Sequence, residues 1–330
     1  MSTPRSWPPA SVRSPSATSG RCNSRPSRRV NDSIFPVTDC VRAGAALLGL
    51  VVLLSGCGSH SDQPRESTAT PSTAQASPAP SDHPADPSGG GNDDAPGSMI
   101  PRYDEATSPE AKTGRDIQEQ ADLLNHLSDS VNRTLKLPHD VQLIGKQCDT
   151  ANAWWDPNDN SVTLCYEEAT EGLEIYTKAG DADPRASTVN GEIATFYHEL
   201  GHMVISLYDL PITGREEDVA DQLSAYILLT PGPDGKVDPA NVQAIKDSAR
   251  EFQGYAEAAG ELDDTDLAGG HSPNKVRAFN MECWLYGSDP AANGDLVGDG
   301  HLPQSRAELC DDEWDKLSHA WSQLLGPHLK

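Results

Sequence analysis

The sequence lacks an apolar run long enough to cross a membrane, and it is poor in basic residues. Its longest apolar stretch, residues 43–54, has about twelve residues, whereas a membrane-spanning helix needs about 20. Lys and Arg number 25 against 50 Asp and Glu, a net charge of −25, and the acidic excess falls after residue 100. Such a chain should repel nucleic acid, so we expect no nucleic-acid partner.

Residues 1–57 have the pattern of a secretory signal peptide that ends in a lipidation site. The stretch 43–54 has the length of a signal-peptide core, and Arg42 precedes it. Leu54-Ser-Gly-Cys57 follows and resembles the bacterial lipobox, whose cysteine is acylated and becomes the first mature residue. We therefore expect a lipid anchor on Cys57, a membrane partner through that lipid and an extracytoplasmic location. A secretion signal without lipid is the alternative.

The segments that flank this signal core are not expected to fold. Residues 58–102 are dominated by Ser, Pro, Ala, Asp and Gly, a composition that predicts a disordered tether. Residues 1–36 make the leader unusually long, so a translation start at Val30 or Val37 is the simpler interpretation. The folded domain is then expected over 103–330, in a compartment that permits disulfides.

The first part of that domain carries both helical and extended patterns. An amphipathic helix is predicted over 114–138, where apolar residues recur at spacings of three and four. Strands are predicted at 141–148 and 161–167, with the turn signal Pro-Asn-Asp-Asn between them, which suggests a hairpin or small antiparallel sheet. Cys148 and Cys165 would face each other across it, which favours a disulfide over two buried thiols.

The rest of the domain is predicted to be mainly helical. The expected helices cover residues 191–208, 215–230, 239–259, 274–286 and 306–325. The sequence therefore predicts the α+β class, with a small antiparallel sheet and a mainly helical core.

The segment His198-Glu-Leu-Gly-His202 matches the HExxH pattern of zinc peptidases. On a helix, two histidines four residues apart share a face and can bind one ion, while Glu199 can reach a water molecule beside it. A catalytic zinc has three protein ligands plus water, so a third ligand is needed. Ile205 and Tyr208 stand where a metzincin has Gly and His, which excludes that class. A surface helix with two histidines is the alternative.

The following helix offers carboxylates for the third position. Glu217 and Asp221 form the ExxxD pattern of glutamate zincins, in which the Glu binds the metal and the Asp orients the first histidine. Glu216 is the rival ligand, one residue off that face. The same acids also suit a helix N-terminus, whose dipole favours carboxylates.

With these residues the sequence resembles a bacterial family of metallopeptidases that was first defined as a domain of unknown function. The likeness covers about residues 115–325 and is most specific at 198–222. It includes Asn152-Ala-Trp-Trp, the stretch 271–277 and Cys283-Trp-Leu-Tyr-Gly. The wider gluzincin clan, with thermolysin as its familiar relative, shares the two-helix zinc core. The resemblance thus implies a zincin-like fold that binds one zinc ion.

The resemblance also implies roles outside the zinc core. Asn152-Ala153 would lie on an edge strand that pairs with the substrate backbone, with a plain buried strand as the alternative. His271 would stabilise the oxyanion, and Arg277 would pair with a carboxylate or with substrate; a loop histidine beside a helix N-cap is the alternative. A second disulfide, Cys283–Cys310, is expected to tie two C-terminal helices together.

The function expected from sequence is zinc-dependent hydrolysis of peptide or protein substrates by a secreted, lipid-anchored metallopeptidase. Glu199 would act as the general base and zinc would activate water. Two other interpretations stay open: a zinc-binding but non-catalytic envelope lipoprotein that binds a partner, and a metal-free structural lipoprotein.

Overall fold

The computed structural model describes residues 96–232, 234–298 and 300–330. The predicted signal segment 1–57, with Cys57, lies outside these residues, as does the predicted tether up to residue 95. Within the described part, no helix combines the length and the apolar character that crossing a bilayer requires.

The described residues form an α+β domain that is mainly helical, as the sequence predicts. The strands are β1 (Met99–Tyr103), β2 (Val141–Lys146), β3 (Ala153–Asp156) and β4 (Ser161–Cys165). The helices are α1 (Pro109–Gln120), α2 (Leu123–Thr134), α3 (Tyr166–Ala179), α4 (Pro184–Tyr208), α5 (Glu216–Leu229), α6 (Pro239–Ala259), α7 (Asp264–Ala268), α8 (Asn274–Ser288) and α9 (Gln304–Leu325).

The sheet is mixed rather than antiparallel, so the predicted hairpin between 141–148 and 161–167 is wrong. The strand order is β1-β2-β4-β3, in which β2 runs parallel to β1 and β4, and β3 runs antiparallel to β4. The turn at 157–160 explains the difference. It directly follows β3, so the hairpin that it closes joins β3 to β4, and β2 pairs with the other side of β4.

The N-terminal side of the domain departs from the prediction in two further places. The predicted tether ran to residue 102, but β1 begins at Met99, which is 1% exposed and donates its N–H to the Asn132 side chain. The predicted helix 114–138 is two helices, α1 and α2. Asp122 separates them in a left-handed conformation (φ 48°), which Asp adopts more readily than most residues.

Helix α4 is the central element of the domain, because it packs against α3, α5, α6 and β3. Asp183 caps its N-terminus by accepting the Ala186 N–H, and Asp209 ends it in a left-handed conformation (φ 48°). Tyr197 and Leu200 are fully buried within it. A helix buried on most of its faces holds its polar side chains in fixed positions inside the protein.

Both predicted disulfides are present. Cys148–Cys165 ties the loop before β3 to the end of β4, and the Glu167 carboxylate accepts the backbone N–H of Cys148 at 3.0 Å. Cys283–Cys310 joins α8 to α9. The first bridge therefore fixes the base of the edge strand that borders the cleft described below.

Helices α4 and α5 approach each other so closely that their backbones touch at Gly201. A Cβ atom at this position would lie 2.8 Å from Ala220 Cα and 3.0 Å from Ala220 Cβ. About two turns earlier on α4, the Ala194 carbonyl accepts a hydrogen bond from Ser224 Oγ at 2.9 Å. Small residues thus set the distance between the two helices that carry the site.

We expect Gly201→Ala to lower the free energy of unfolding by about 1–3 kcal/mol, the usual cost of overpacking. Helix propensity alone favours Ala over Gly by roughly 0.5–1 kcal/mol. A decrease in the free energy of unfolding would therefore be caused by the clash with Ala220. Urea denaturation would measure it, with Gly294→Ala as the control because a Cβ there meets open space. Equal stability of the two variants would contradict the close packing.

Candidate metal centre

His198 and His202 present their rings on the same side of α4. Their Nε2 atoms are 3.2 Å apart. His198 is 7% exposed, and the His202 side chain is 16% exposed at the mouth of a cleft. Two ring nitrogens that meet at this distance in a buried position provide two of the ligands for one metal ion.

Glu217, on α5, supplies a carboxylate oxygen to the same point. Its Oε2 lies 3.2 Å from His198 Nε2 and 3.3 Å from His202 Nε2. Tetrahedral coordination at metal–ligand distances of about 2.0–2.2 Å separates neighbouring ligand atoms by about 3.3 Å. The three donor atoms therefore have the spacing that a tetrahedral metal ion requires.

The surroundings of the Glu217 oxygen also suit a bound cation. Oε2 is buried and has no partner in hydrogen-bonding geometry among the described residues, although three imidazole nitrogens lie within 3.3 Å. A buried carboxylate oxygen left in this way is costly unless a donor or a cation satisfies it. The residues present thus fit a bound metal ion.

Glu216, the rival ligand, lies on the other side of the His202 ring. Its Oε1 is 2.9 Å from His202 Nδ1, the nitrogen opposite the one that faces Glu217. A carboxylate in this position fixes the orientation of a metal-binding ring. The geometry therefore makes Glu217 the candidate ligand and places Glu216 in contact with the other nitrogen of the His202 ring.

The His198 ring is oriented by a buried ion pair. Asp221 Oδ1 lies 2.8 Å from His198 Nδ1, as the ExxxD pattern predicts. Arg277 donates two hydrogen bonds of 2.8 Å to the same carboxylate, and its guanidinium stacks 4.0 Å above the Phe252 ring. Of the two roles expected of Arg277, the structure shows the carboxylate contact, and contact with substrate stays a prediction.

The charges of this pair set which nitrogen of His198 faces the metal position. Burial alone would raise the pKa of Asp221, but Arg277 and His198 outweigh it and hold that pKa below its usual range. Asp221 is therefore ionised and accepts a proton-bearing Nδ1. In a neutral His198 ring with its proton on Nδ1, the lone pair is on Nε2, where a metal ion would bind it.

Glu199 lies close to the two histidines and contacts strand β3. Its Oε2 accepts the backbone N–H of Trp155 at 2.9 Å. Burial raises the pKa of Glu199 above its usual range, and the neighbouring imidazoles offset this only in part. A carboxylate with a raised pKa is a stronger base than an exposed one.

The open edge of β3 borders the same cleft. Alternate residues of a strand direct their backbone groups to opposite sides, so Ala153 faces the same side as Trp155. The Asn152 carbonyl instead accepts the Cys165 N–H within the sheet, at 3.1 Å. Of the predicted substrate-binding pair, Ala153 thus presents its backbone to the cleft, whereas the Asn152 backbone carbonyl is occupied by β4.

His271 reaches the site from the loop before α8. Its Nε2 lies 2.8 Å from Glu217 Oε2, and the side chain is 58% exposed. Arg215 Nη1 donates to the His271 carbonyl at 3.3 Å, which ties this loop to the start of α5. The structure brings His271 to the metal position through Glu217, and its role as an oxyanion donor stays a prediction.

These residues line a cleft of about 660 Å³. Sequence reasoning missed one of its walls, which α6 forms with Ser248, Glu251, Phe252 and Tyr255. It also missed the backbone N–H of Trp155 as a partner of Glu199. Neither feature leaves a motif in the sequence, because the first is one side of an ordinary amphipathic helix and the second is a main-chain group.

Residues 103–325 match the family DUF4344, whose description reads "Putative metallopeptidase". The match extends over the end of β1, the three following strands and all helices named above, so it contains every residue of the metal centre. No curated protein and no solved structure matches the chain.

We expect Asp221→Asn to weaken metal binding by about 10–100-fold, because the His198 ring loses the ionised partner that orients it. Metal titration of the purified variant against a chelating dye would measure the affinity. Asp218→Asn is the matched control, since Asp218 lies on the same helix and has no hydrogen bond to either ring among the described contacts. Equal loss in the two variants would contradict the orienting role of Asp221.

Glu217→Gln should reduce metal affinity more than Asp221→Asn does, because it removes a ligand rather than an orienting contact. Glu216→Gln should retain the metal and change its affinity by at most about 10–100-fold. Elemental analysis after dialysis at one fixed metal concentration would compare them. If Glu216→Gln lost the metal and Glu217→Gln kept it, the ligand assignment above would be reversed.

Proposed function

Because the chain belongs to this metallopeptidase family, we propose that it hydrolyses peptide bonds with a zinc ion held by His198, His202 and Glu217. The observation that carries the proposal is the convergence of two Nε2 atoms and one carboxylate oxygen within 3.2–3.3 Å, beside a buried general base. The proposal places the protein among gluzincins with a zincin-like core.

The donor set supports zinc over other common divalent ions. Two imidazoles and one carboxylate in tetrahedral spacing are typical of catalytic zinc, whereas calcium and magnesium prefer six or more oxygen ligands. When bound, the ion supplies Lewis acidity that polarises the scissile carbonyl and activates a water molecule.

Glu199 is proposed to move the protons of the reaction. Its carboxylate is buried next to the ligand histidines and takes a proton from the attacking water. It then donates that proton to the amine of the leaving peptide. The Trp155 N–H holds one of its oxygens at 2.9 Å, so the other oxygen is left to exchange protons.

The edge of β3 is proposed to bind the substrate as an added strand. The backbone of Ala153 faces the cleft, and an extended peptide that pairs with it would lie across the metal centre. The Asn152 side chain stands at the end of this edge and would contact the same peptide. Strand pairing recognises backbone rather than side chains, which suits a peptidase.

His271 is proposed to stabilise negative charge on the scissile carbonyl oxygen. Its ring is exposed to the cleft and lies next to the ligand carboxylate, in a loop that Arg215 ties down. A small rotation of this exposed ring would direct a ring N–H toward the carbonyl oxygen of the substrate.

The proposed setting is outside the cytoplasm, with the domain held at the membrane by a lipid on Cys57. The two disulfides support an oxidising compartment. The lipobox pattern supports the anchor, and the net charge of −25 supports a protein partner rather than a nucleic acid.

Glu199→Gln should lower peptide hydrolysis by about 10²–10⁴-fold, the usual contribution of a general base, while zinc content stays at the wild-type level. Cleavage of a denatured protein followed by mass spectrometry would measure the rate, and elemental analysis would measure the zinc. Glu174→Gln, on the exposed face of α3, is the control. Wild-type activity in Glu199→Gln would exclude this mechanism.

Removal of the metal tests the zinc requirement separately. Dialysis against a chelator should abolish hydrolysis, and one equivalent of zinc should restore it. A wild-type protein that binds zinc but cleaves nothing would instead support the non-catalytic envelope module.

A further inference from the structure

The wall of the cleft that α6 forms contains a buried carboxylate. Glu251, on α6, is 8% exposed and lines the cleft together with Ser248 and Tyr255. The glycines Gly172 and Gly191 leave the space that its carboxylate oxygens occupy. This carboxylate takes no part in the metal centre or in the proton transfers proposed above.

Two more carboxylates lie close to Glu251 in the protein interior. Among the described residues, Glu168, Glu192 and Glu251 form no ion pair. Glu192 accepts from the Gln118 amide at 2.8 Å, and the buried Oε2 of Glu168 has no hydrogen-bond partner. A cluster of this kind is stabilised by an added cation.

The electrostatics of these three carboxylates also favour a bound cation. Burial, together with repulsion from Glu168, raises the pKa of Glu251 well above its usual range. Burial likewise raises the pKa of Glu192. Burial and mutual repulsion thus disfavour ionisation of these carboxyls, and a bound ammonium or guanidinium group would offset both effects.

The other charges that line the cleft do not fill this need. Among the described lining residues, Arg277 is the sole lysine or arginine, and both of its hydrogen bonds go to Asp221. The remaining charged lining residues near the metal centre are acidic. Among the described lining residues, no lysine or arginine is therefore available to pair with Glu251.

The position of Glu251 suits a long side chain. It packs against Gly191, which lies seven residues before His198 on α4 and so about 10 Å along the helix axis. Phe252 and Met281 provide apolar surface along the cleft. A lysine or arginine side chain covers such surface with its methylene groups and places its charge at the end.

We propose that the α6 wall of the cleft forms a subsite for a lysine or arginine side chain next to the scissile bond, with Glu251 as the carboxylate that recognises it. The proposal rests on the proposed peptidase function and adds a substrate class to it. Tyr255 and Ser248 would complete the polar end of the subsite.

A binding experiment that needs no turnover tests the subsite. Zinc-loaded Glu199→Gln would be titrated calorimetrically with acetylated hexapeptides that carry lysine, norleucine or glutamate at one position on either side of the target bond. We expect the lysine peptide to bind at least tenfold more tightly than the norleucine peptide at one of these positions, and the glutamate peptide to bind most weakly. Equal binding of lysine and norleucine at both positions would overturn the proposal.

Variants of α6 test whether lysine peptides bind at Glu251 or are attracted by the overall negative charge of the domain. In the Glu199→Gln background, Glu251→Gln should bring the lysine-to-norleucine ratio close to one. Glu257→Gln, the matched control, should keep the ratio, because Glu257 is on the same helix with a 73% exposed side chain and pairs with Lys178. A ratio that persists in Glu251→Gln would overturn the proposal.

Glu251→Asp provides a second variant if Glu251→Gln fails to fold, as judged by thermal melting. It keeps the charge but withdraws it by one methylene, so lysine should lose more affinity than the longer arginine. Equal losses for the two peptides would count against recognition by Glu251. A wild-type enzyme that lacks hydrolysis would overturn the proposed function while leaving these binding results to decide the subsite.

Discussion

The metal centre depends on one close contact between two helices. Gly201 on α4 lies against Ala220 on α5, and this contact sets how near the Glu217 carboxylate comes to the two imidazoles. A side chain at Gly201 would push α5 outward and separate the ligands, because a tightly packed interior does not absorb an added atom without a shift. The geometry of the site is therefore a consequence of packing between the helices as much as of the motif itself.

Around that contact, acidic groups orient the ligands rather than competing with them for the metal position. Asp221 binds Nδ1 of His198, and Glu216 binds Nδ1 of His202, so both Nε2 atoms face Glu217. Asp221 is itself buried and ionised, which requires Arg277 as a counter-charge. This ordered set of contacts explains why a cleft with so many carboxylates directs only one of them to the metal position.

Much of the helical part could be predicted from sequence, and much of the sheet could not. Helices α5, α6, α8 and α9 carry clear periodicity and lie close to their predicted bounds. The error in the sheet arose because a turn signal states where a chain reverses but not which flanking segment it pairs. The sequence did not predict the helix break at Asp122, because apolar residues continue across it at spacings of three and four. It did not predict β1, because the residues before this strand have the composition of a linker.

The sequence by itself determined the spacing of the HExxH and ExxxD residues, both disulfide pairs and the helices that carry the ligands, since each depends on local periodicity or on few possible partners. Only the tertiary structure distinguished Glu217 from Glu216 as the candidate ligand. It also showed that the Trp155 N–H contacts Glu199 and that Arg277 pairs with Asp221. The position of α6 as one wall of the cleft likewise came from the structure alone. These features depend on the distance and rotation between separate elements. Long-range packing fixes those quantities, and no single segment of the chain encodes them.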